Sequence, residues 1–351
     1  MKRNLTRMKV IAGALALVVL LSGFRYGGYD DPVATAPIGP AYQWLVTQQQ
    51  PDGGFEVAGF PGFETSDAIV ALGESNQVGR AWNKVRARNL VLATTTNGNN
   101  PLNAMDDFVD GGISAGQAAK TILLVAKPLG INYRKFDPDN DGAVNLYALM
   151  QAGALPDGSY GVGQLNATLY AALAHRAIGR RVPPATVAYI RNAQEASGGW
   201  DFAGDSSGTE ADIDTTALAV QALVASRVKV NDADVMAGLK FLAEQQTQGG
   251  AWRSFGELDP NATSIAIVAV TAAGFDPNDS CWRDVAAPAL AGQPYSSPVH
   301  WLAGRDAPDG HIISPFDGFG VNTIATTQSM QALRRGFLPI AHLNQRVSLC
   351  A

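Results

Sequence analysis

The sequence predicts an all-α fold, a closed α6/α6 toroid of six inner and six outer helices. Three observations predict it: a glycine turn that recurs five times, an Ala-rich helical segment after each turn, and an amphipathic helical segment before it. In such arrays each repeat is one helix pair, and neighbouring pairs bury each other's apolar faces. Because no capping repeat ends the series, we expect the last inner helix to meet the first pair.

The recurring turn has an aromatic residue or Leu nine positions before a glycine and a large apolar residue two positions after it. Glycine can adopt the positive φ that ends the upstream helix. The five turns contain Trp44, Gly53 and Phe55; Leu149, Gly158 and Tyr160; Tyr189, Gly198 and Trp200; Phe241, Gly250 and Trp252; and Trp301, Gly310 and Ile312. In three turns a glutamine lies four positions before the glycine, namely Gln49, Gln194 and Gln246.

Two kinds of helical segment alternate along the chain. Segments that are apolar on nearly every face are typical of a buried inner layer, and we expect them near 64–75, 113–127, 166–178, 214–226, 262–273 and 322–335. Segments with apolar residues on one face are typical of an outer layer, and we expect them near 40–50, 79–93, 143–153, 184–196, 233–247 and 296–306. Asn97 to Pro101 replaces the aromatic turn, so the second pair should be degenerate.

The N-terminal residues differ in character from the rest. Four basic residues precede an apolar run from Val10 to Phe24, a pattern typical of an export signal that leaves the following domain outside the cell. We therefore predict an export signal or uncleaved membrane anchor at 1–30, a linker at 31–37, the toroid at 38–340 and a C-terminal tail at 341–351. The expected location is extracytoplasmic, with membrane contact only through the N-terminal segment.

The composition of the chain excludes nucleic acid as a partner and is compatible with one disulfide. The net charge is −5 and no Lys/Arg cluster follows the first nine residues, which excludes nucleic-acid binding. The two cysteines, Cys281 and Cys350, suit one disulfide in an exported chain, with two unpaired thiols as the alternative.

Two of the turns carry a family resemblance. At Tyr189-Ile190, Gln194, Gly198 and Trp200, and again at Phe241-Leu242, Gln246, Gly250 and Trp252, the sequence resembles the Gln-Trp repeats of the terpenoid cyclase and protein prenyltransferase superfamily. The resemblance covers residues 38–340 and implies an α/α toroid. It leaves the activity open, because cyclases, prenyltransferase subunits and cobalamin carriers share that fold.

The run Asp212-Ile213-Asp214-Thr215 resembles the Asp-x-Asp-Asp motif of class II terpenoid cyclases, with Thr215 in place of the last acid. The resemblance implies that Asp214 would be the proton donor and Asp212 its neighbour. Such a donor must be a carboxyl held neutral in a dry cavity.

A competing interpretation makes Asp214 a helix cap. It lies two residues before Thr216, as Asn261 does before Thr263, and Asn and Asp cap helices equally well. Cyclases of this class generally join two toroids, and export separates the chain from cytosolic isoprenoid diphosphates. These points favour a protein without catalysis.

Metal sites are weaker candidates. Asp137, Asp139 and Asp141 place oxygen ligands at alternate positions, as in a calcium loop, but Ala148 occupies the position of the expected bidentate acid. We interpret this segment mainly as a capping loop, with calcium as the alternative. The pair Asp279 and Cys281 resembles the zinc ligands of prenyltransferases but precedes an outer helix instead of opening an inner one.

The sequence therefore favours an exported toroid that binds a small apolar or corrinoid-like ligand, or a partner, at the ring mouth, without catalysis and without a cofactor. Loops on a rigid scaffold are where recognition usually occurs, and the candidate binding residues in these loops are Glu64, Asp67, Glu210 and Asp212. One alternative is a class II terpenoid cyclase that uses Asp214. The other is a carbohydrate-active toroid, which needs a carboxylate pair across the mouth.

Overall fold

A computed structural model describes residues 31–55, 64–78, 82–161, 165–317, 322–335 and 349–350. The predicted export signal or anchor at 1–30, and all but two residues of the predicted tail, lie outside this part of the chain. Among the described residues, no helix has both the length and the apolar character needed to cross a bilayer.

Six inner helical segments form a closed ring, as predicted. Numbered in chain order, they are α3 (Thr65–Ser75), α6 (Ala115–Thr121) with its continuation, α9 (Leu165–Ala177), α11 (Ile213–Ala225), α13 (Pro260–Ala272) and α16 (Thr323–Arg334). Helix α6 continues through a π-helical turn, Ile122–Ala126, into α7 (Lys127–Leu129). Each segment packs against the next, and α16 packs against α3. The ring is closed by the last and first inner helices, which confirms the toroid.

Outer helices precede the turns. They are α2 (Ile38–Thr47), α4 (Lys84–Ala93), α8 (Leu146–Ala152), α10 (Pro184–Asn192), α12 (Ala233–Gln245) and α15 (Pro298–Ala303). Additional elements are α1 (Pro32–Thr35), α5 (Pro101–Asp110), α14 (Cys281–Ala286), a 3-10 turn (Pro288–Leu290), and the hairpin strands β1 (Arg253–Ser254) and β2 (Glu257–Leu258). Helix α5 is inserted where the sequence lacks the aromatic turn, so the second pair departs from the repeat as expected.

Hydrogen bonds explain why the same residue spacing recurs in all five turns. In each turn the glycine has positive φ, between 88° and 100°, and the large apolar residue that follows is buried. The backbone N–H of that residue donates to a Thr hydroxyl of the next inner helix, from Phe55 to Thr65, Tyr160 to Thr168, Trp200 to Thr216, Trp252 to Thr263 and Ile312 to Thr326. Gln49, Gln194 and Gln246 each donate to the carbonyl of the turn glycine.

A disulfide joins Cys281, the first residue of α14, to Cys350, with 5.9 Å between the Cα atoms. It ties the described end of the chain to the segment between α13 and α15. A cysteine in a disulfide offers no thiolate to a metal, so the structure gives no support to the zinc interpretation of Asp279 and Cys281.

Candidate functional site

Asp212, and not Asp214, caps helix α11. Its backbone is extended (φ −116°, ψ 163°) and its side chain accepts a hydrogen bond from Thr215 N at 2.7 Å. The N–H of Asp212 donates to Trp200 O at 3.0 Å, which fixes the cap against the turn. The interpretation of Asp214 as a cap is therefore wrong, because the helix begins at Ile213 and Asp214 lies within its first turn.

Helices α13 and α16 show the same register. Asp259 caps α13 by accepting hydrogen bonds from Asn261 N and Ala262 N, and Asn322 caps α16. Asp212 lies four residues before Thr216, and Asp259 lies four residues before Thr263. These caps therefore lie two residues before the predicted positions, Asp214 and Asn261. Asp214 thus occupies a position that needs no capping side chain.

Asp214 is the one residue of α11 that is exposed, since every other residue of this helix is buried. It lines a cavity at the mouth of the ring with a volume of about 910 Å³, which lies within the usual range of small-molecule sites. The wall also contains Asn166, Glu195, Phe202, Glu210, Asp212, Phe241, Arg253 and Phe255. Two predicted binding residues, Glu210 and Asp212, therefore share this cavity with Asp214.

The environment of Asp214 favours its protonated form. Burial by the surrounding protein, followed by the negative charges of Asp259 and Asp212, raises the pKa of Asp214 to about 7. The carboxyl is open to the cavity, yet protein surrounds it on most sides, and desolvation disfavours the charged state. In the described part of the chain no hydrogen bond to this carboxyl offsets that effect. Asp214 can therefore hold a proton close to neutral pH.

A smaller, largely apolar cavity of about 80 Å³ lies in the lumen of the ring. Leu218 and Gln221 line it, and they follow Asp214 by four and seven residues on the same face of α11. Leu123 and Leu124 in the π-helical turn also line it, and the neighbouring inner helices α9 and α13 contribute Tyr170, Leu173, Ile265 and Val268. Single π-helical turns often occur at functional sites. The lumen cavity is therefore much smaller than the cavity at the mouth.

The four predicted binding residues do not form one group. Asp67 lines the lumen cavity, where its carboxylate is 2.7 Å from Lys120 Nζ and lies near Gln331. Glu64 is buried next to the first residue of α3. Glu210 and Asp212 line the mouth cavity instead. Asp67 and Asp212 line different cavities, and Asp67 is ion-paired with Lys120. They therefore do not form the carboxylate pair that glycoside hydrolysis requires.

Sequence reasoning missed Asp259, Tyr170 and Lys120. Asp259 could have been found, because it has the same offset from Thr263 as Asp212 has from Thr216. Tyr170 and Lys120 gave no signal, since their place beside Asp67 depends on how α6 and α9 pack. Burial raises the pKa of Tyr170, and the charges of Lys120, Asp67 and Asp214 all act on it.

Comparison with known proteins identifies the fold. No protein-family model matches the sequence, and no curated protein is similar to it in sequence. Among solved structures, the type II terpene cyclase MstE from Scytonema matches with a TM-score of 0.57 at 14% identity, covering 86% of this chain and 97% of that chain. The chain has the terpenoid cyclase and prenyltransferase toroid fold.

Other structures with this toroid fold agree. A complex of MstE_D109A with merosterolic acid A, its product, gives a TM-score of 0.56 at 14% identity, covering 86% of this chain and 96% of that chain. Candida albicans protein geranylgeranyltransferase-I, complexed with GGPP, gives a TM-score of 0.50 at 10% identity, covering 84% of this chain and 90% of that chain. Function has to be argued from the site, because one fold hosts several chemistries.

The MstE chain is about as long as the toroid of this protein. The match covers 97% of the MstE chain and 86% of this one, so the two chains are similar in extent. A type II terpene cyclase can therefore occupy a chain of about this size, and the expectation that such cyclases join two toroids does not hold for MstE.

Proposed function

We propose that this protein is a class II terpenoid cyclase, in which Asp214 protonates an isoprenoid chain held at the mouth of the ring. The observation that supports this proposal is the environment of the Asp214 carboxyl, which favours its protonated form. Its side chain is the one in the buried helix α11 that reaches solvent, and it lines a cavity of ligand size. Desolvation by the surrounding protein, followed by the charges of Asp259 and Asp212, raises its pKa to about 7. A general acid works best when its pKa lies near the operating pH.

The chemistry follows from the placement of these groups. The Asp214 O–H bond breaks as its proton adds to a terminal alkene carbon, which leaves a carbocation on the substrate and a carboxylate on Asp214. Attack by a second alkene of the same chain closes a ring, and loss of a proton from the final cation restores the charge balance. The reaction is an isomerisation and needs no oxidant or reductant. The negative charges of Asp259 and Asp212 disfavour ionisation of Asp214 before the substrate is bound, so its proton is retained until it is transferred.

The apolar lumen has a complementary role. Leu218, Leu123 and Leu124 line it on two sides, and exclusion of water protects a carbocation from premature capture. With a volume of about 80 Å³, it admits only a short part of a ligand. We infer that the protonated end of the isoprenoid enters below Asp214 and that the rest of the chain occupies the mouth.

The charges of the mouth restrict the class of substrate. Glu195, Glu210, Asp212 and Asp214 line it, and Arg253 is the basic residue among its lining residues. A diphosphate would meet more acids than bases there, so we propose an isoprenoid with a neutral head group. Structures of MstE with geranylgeranyl dihydroxybenzoate and of the Candida enzyme with GGPP show that toroids of this fold accept geranylgeranyl chains.

Product formation is the test of this proposal. Purified protein is incubated with squalene, geranylgeraniol or geranylgeranyl diphosphate, and cyclic products are detected by mass spectrometry after gas chromatography. We expect a cyclic product from a neutral substrate and a loss of about 10²-fold or more in Asp214→Asn, the usual contribution of a general acid. Asp205→Asn is the matched control, because Asp205 is an exposed acid of the loop that precedes α11 and does not line the cavity.

A toroid that binds a ligand without catalysis is the other outcome of the same experiment. Native mass spectrometry would then detect a bound isoprenoid in the wild-type protein and in Asp214→Asn, with no cyclic product in either. That result would overturn the cyclase proposal and favour the non-catalytic function expected from the sequence.

A further inference from the structure

The acidic loop before α8 is closed on itself by hydrogen bonds. Phe136 and Val144 pair through two backbone hydrogen bonds of 2.9 Å at its base. Gly142 N donates to Asp137 Oδ1 at 3.3 Å, and Asp141 N donates to Asp139 Oδ1 at 3.2 Å. These contacts hold the three acids in one short loop, without supplying a positive charge.

A fourth carboxylate reaches this loop from a separate helix. Asp106 of α5 is 1% exposed, and its Oδ2 accepts a hydrogen bond from Asp139 N at 3.0 Å. Its Oδ1 is buried and accepts no hydrogen bond from any described residue. A buried carboxylate oxygen without a partner is costly unless a proton or a cation compensates for it.

The four acids have the geometry of a ligand set. One oxygen from each of Asp106, Asp137, Asp139 and Asp141 lies within 4.8 Å of the others. None of the ion pairs in the described part of the chain involves these acids. Asp110, one turn after Asp106 in α5, adds a further negative charge close to Asp141. The cluster therefore lacks a compensating cation among the described side chains.

We propose that Asp106, Asp137, Asp139 and Asp141 bind one Ca²⁺ ion. Calcium takes six to eight oxygen ligands with flexible geometry, and backbone carbonyls and water complete its coordination. In the sequence of the loop, Ala148 occupies the position at which a calcium loop has its bidentate acid. Asp106 supplies that missing carboxylate from α5, with its unpartnered Oδ1 as the available ligand atom.

A structural role follows from the position of the site. The ion would connect the loop before the outer helix α8 to α5, the helix inserted where the second repeat lacks its glycine-aromatic turn. Calcium would thus stabilise the least regular part of the ring. This inference is independent of the reaction at Asp214, since no residue of the cluster lines either cavity of the candidate active site.

Calorimetry and thermal unfolding of protein treated with EDTA test the site. We expect Ca²⁺ to bind with one-to-one stoichiometry and to raise Tm, with a smaller effect from Mg²⁺, which requires near-ideal octahedral ligands. Asp106→Asn and Asp141→Asn should each weaken Ca²⁺ binding by at least about tenfold, because one charged ligand is lost. Asp107→Asn is the control, since this exposed neighbour in α5 is not part of the cluster.

Two results would overturn the proposal. One is the absence of both heat and Tm change with millimolar Ca²⁺ in the wild-type protein. The other is undiminished binding in Asp106→Asn and Asp141→Asn. If Asp106→Asn fails to fold, Asp141→Asn decides alone, because Asp141 is exposed and its substitution leaves no buried group unsatisfied.

Discussion

The backbone N–H of Trp200 donates to Thr216 Oγ1 at 2.9 Å and joins a glycine turn to the inner helix that follows it. The same bond occurs in all five turns. Since Asp212 N also donates to Trp200 O, the turn fixes both the cap and the second turn of α11. Asp214 lies between these two anchors, so the repeat that builds the ring also positions the candidate acid.

Thr216→Val tests this anchor. Valine keeps the shape of threonine but removes the acceptor, which leaves the buried N–H of Trp200 unsatisfied at a cost of about 1–3 kcal/mol. Thr216→Ser retains the hydroxyl and should lose less stability than Thr216→Val. Urea unfolding measures both, and equal stability of the two variants would contradict the role of the hydroxyl.

A pair of glycine substitutions separates backbone strain from packing. Gly198 and Gly98 have the same φ of 88°. A Cβ at Gly198 would lie 2.7 Å from Ala237 O, whereas a Cβ at Gly98 has nothing within 4 Å. Both Ala variants lose about 1 kcal/mol because of positive φ, and Gly198→Ala should lose more because α12 must move. Denaturant midpoints compare them, and equal losses would show that the close contact is unimportant.

The stability difference between Asp214→Asn and the wild-type protein should depend on pH in a defined direction. The pKa of Asp214 is raised from 3.8 to about 7 in the folded protein, so between these values the folded state binds more protons than the unfolded state. The stability contributed by Asp214 therefore falls as pH rises through this range. Asparagine stays neutral, and we expect Asp214→Asn to have a higher Tm than wild type at pH 8 but a similar Tm at pH 4.

Asp205→Asn provides the opposite case. Hydrogen bonds from Ser207 lower the pKa of Asp205, so its ionised form is favoured and its removal should bring no gain at pH 8. Scanning calorimetry at both pH values measures the difference. An Asp214→Asn variant that gains nothing over wild type at pH 8 would show that the ionised carboxyl is well solvated.

The sequence was sufficient for the architecture, because the turn repeats at fixed offsets. Each sister turn has a glycine equivalent to Gly198, a large apolar residue equivalent to Trp200 and a Thr equivalent to Thr216, and such repetition is a strong signal of a helical repeat fold. The inner and outer segments were found within a few residues of their observed bounds, apart from the inserted α5.

The site was less accessible to sequence reasoning for two physical reasons. Register alone does not distinguish a helix cap from a first-turn residue, so the sequence leaves Asp214 open as a cap or a proton donor, whereas the structure shows that Asp212 holds the cap position. Asp106 and Asp139 are 33 residues apart, and nothing local indicates that α5 brings them together. Contacts of this kind depend on tertiary packing, which a single sequence does not encode in any short pattern.

Isotope labelling tests the central claim, that Asp214 protonates an isoprenoid, most directly. The protein is exchanged into D₂O near pH 6, below the pKa of Asp214 of about 7, and incubated with a neutral C20 or C30 isoprenoid. The account predicts a cyclic product with one deuterium at the protonated carbon, and none from Asp214→Asn. A cyclic product without deuterium, or a bound substrate that is never cyclised, would contradict it.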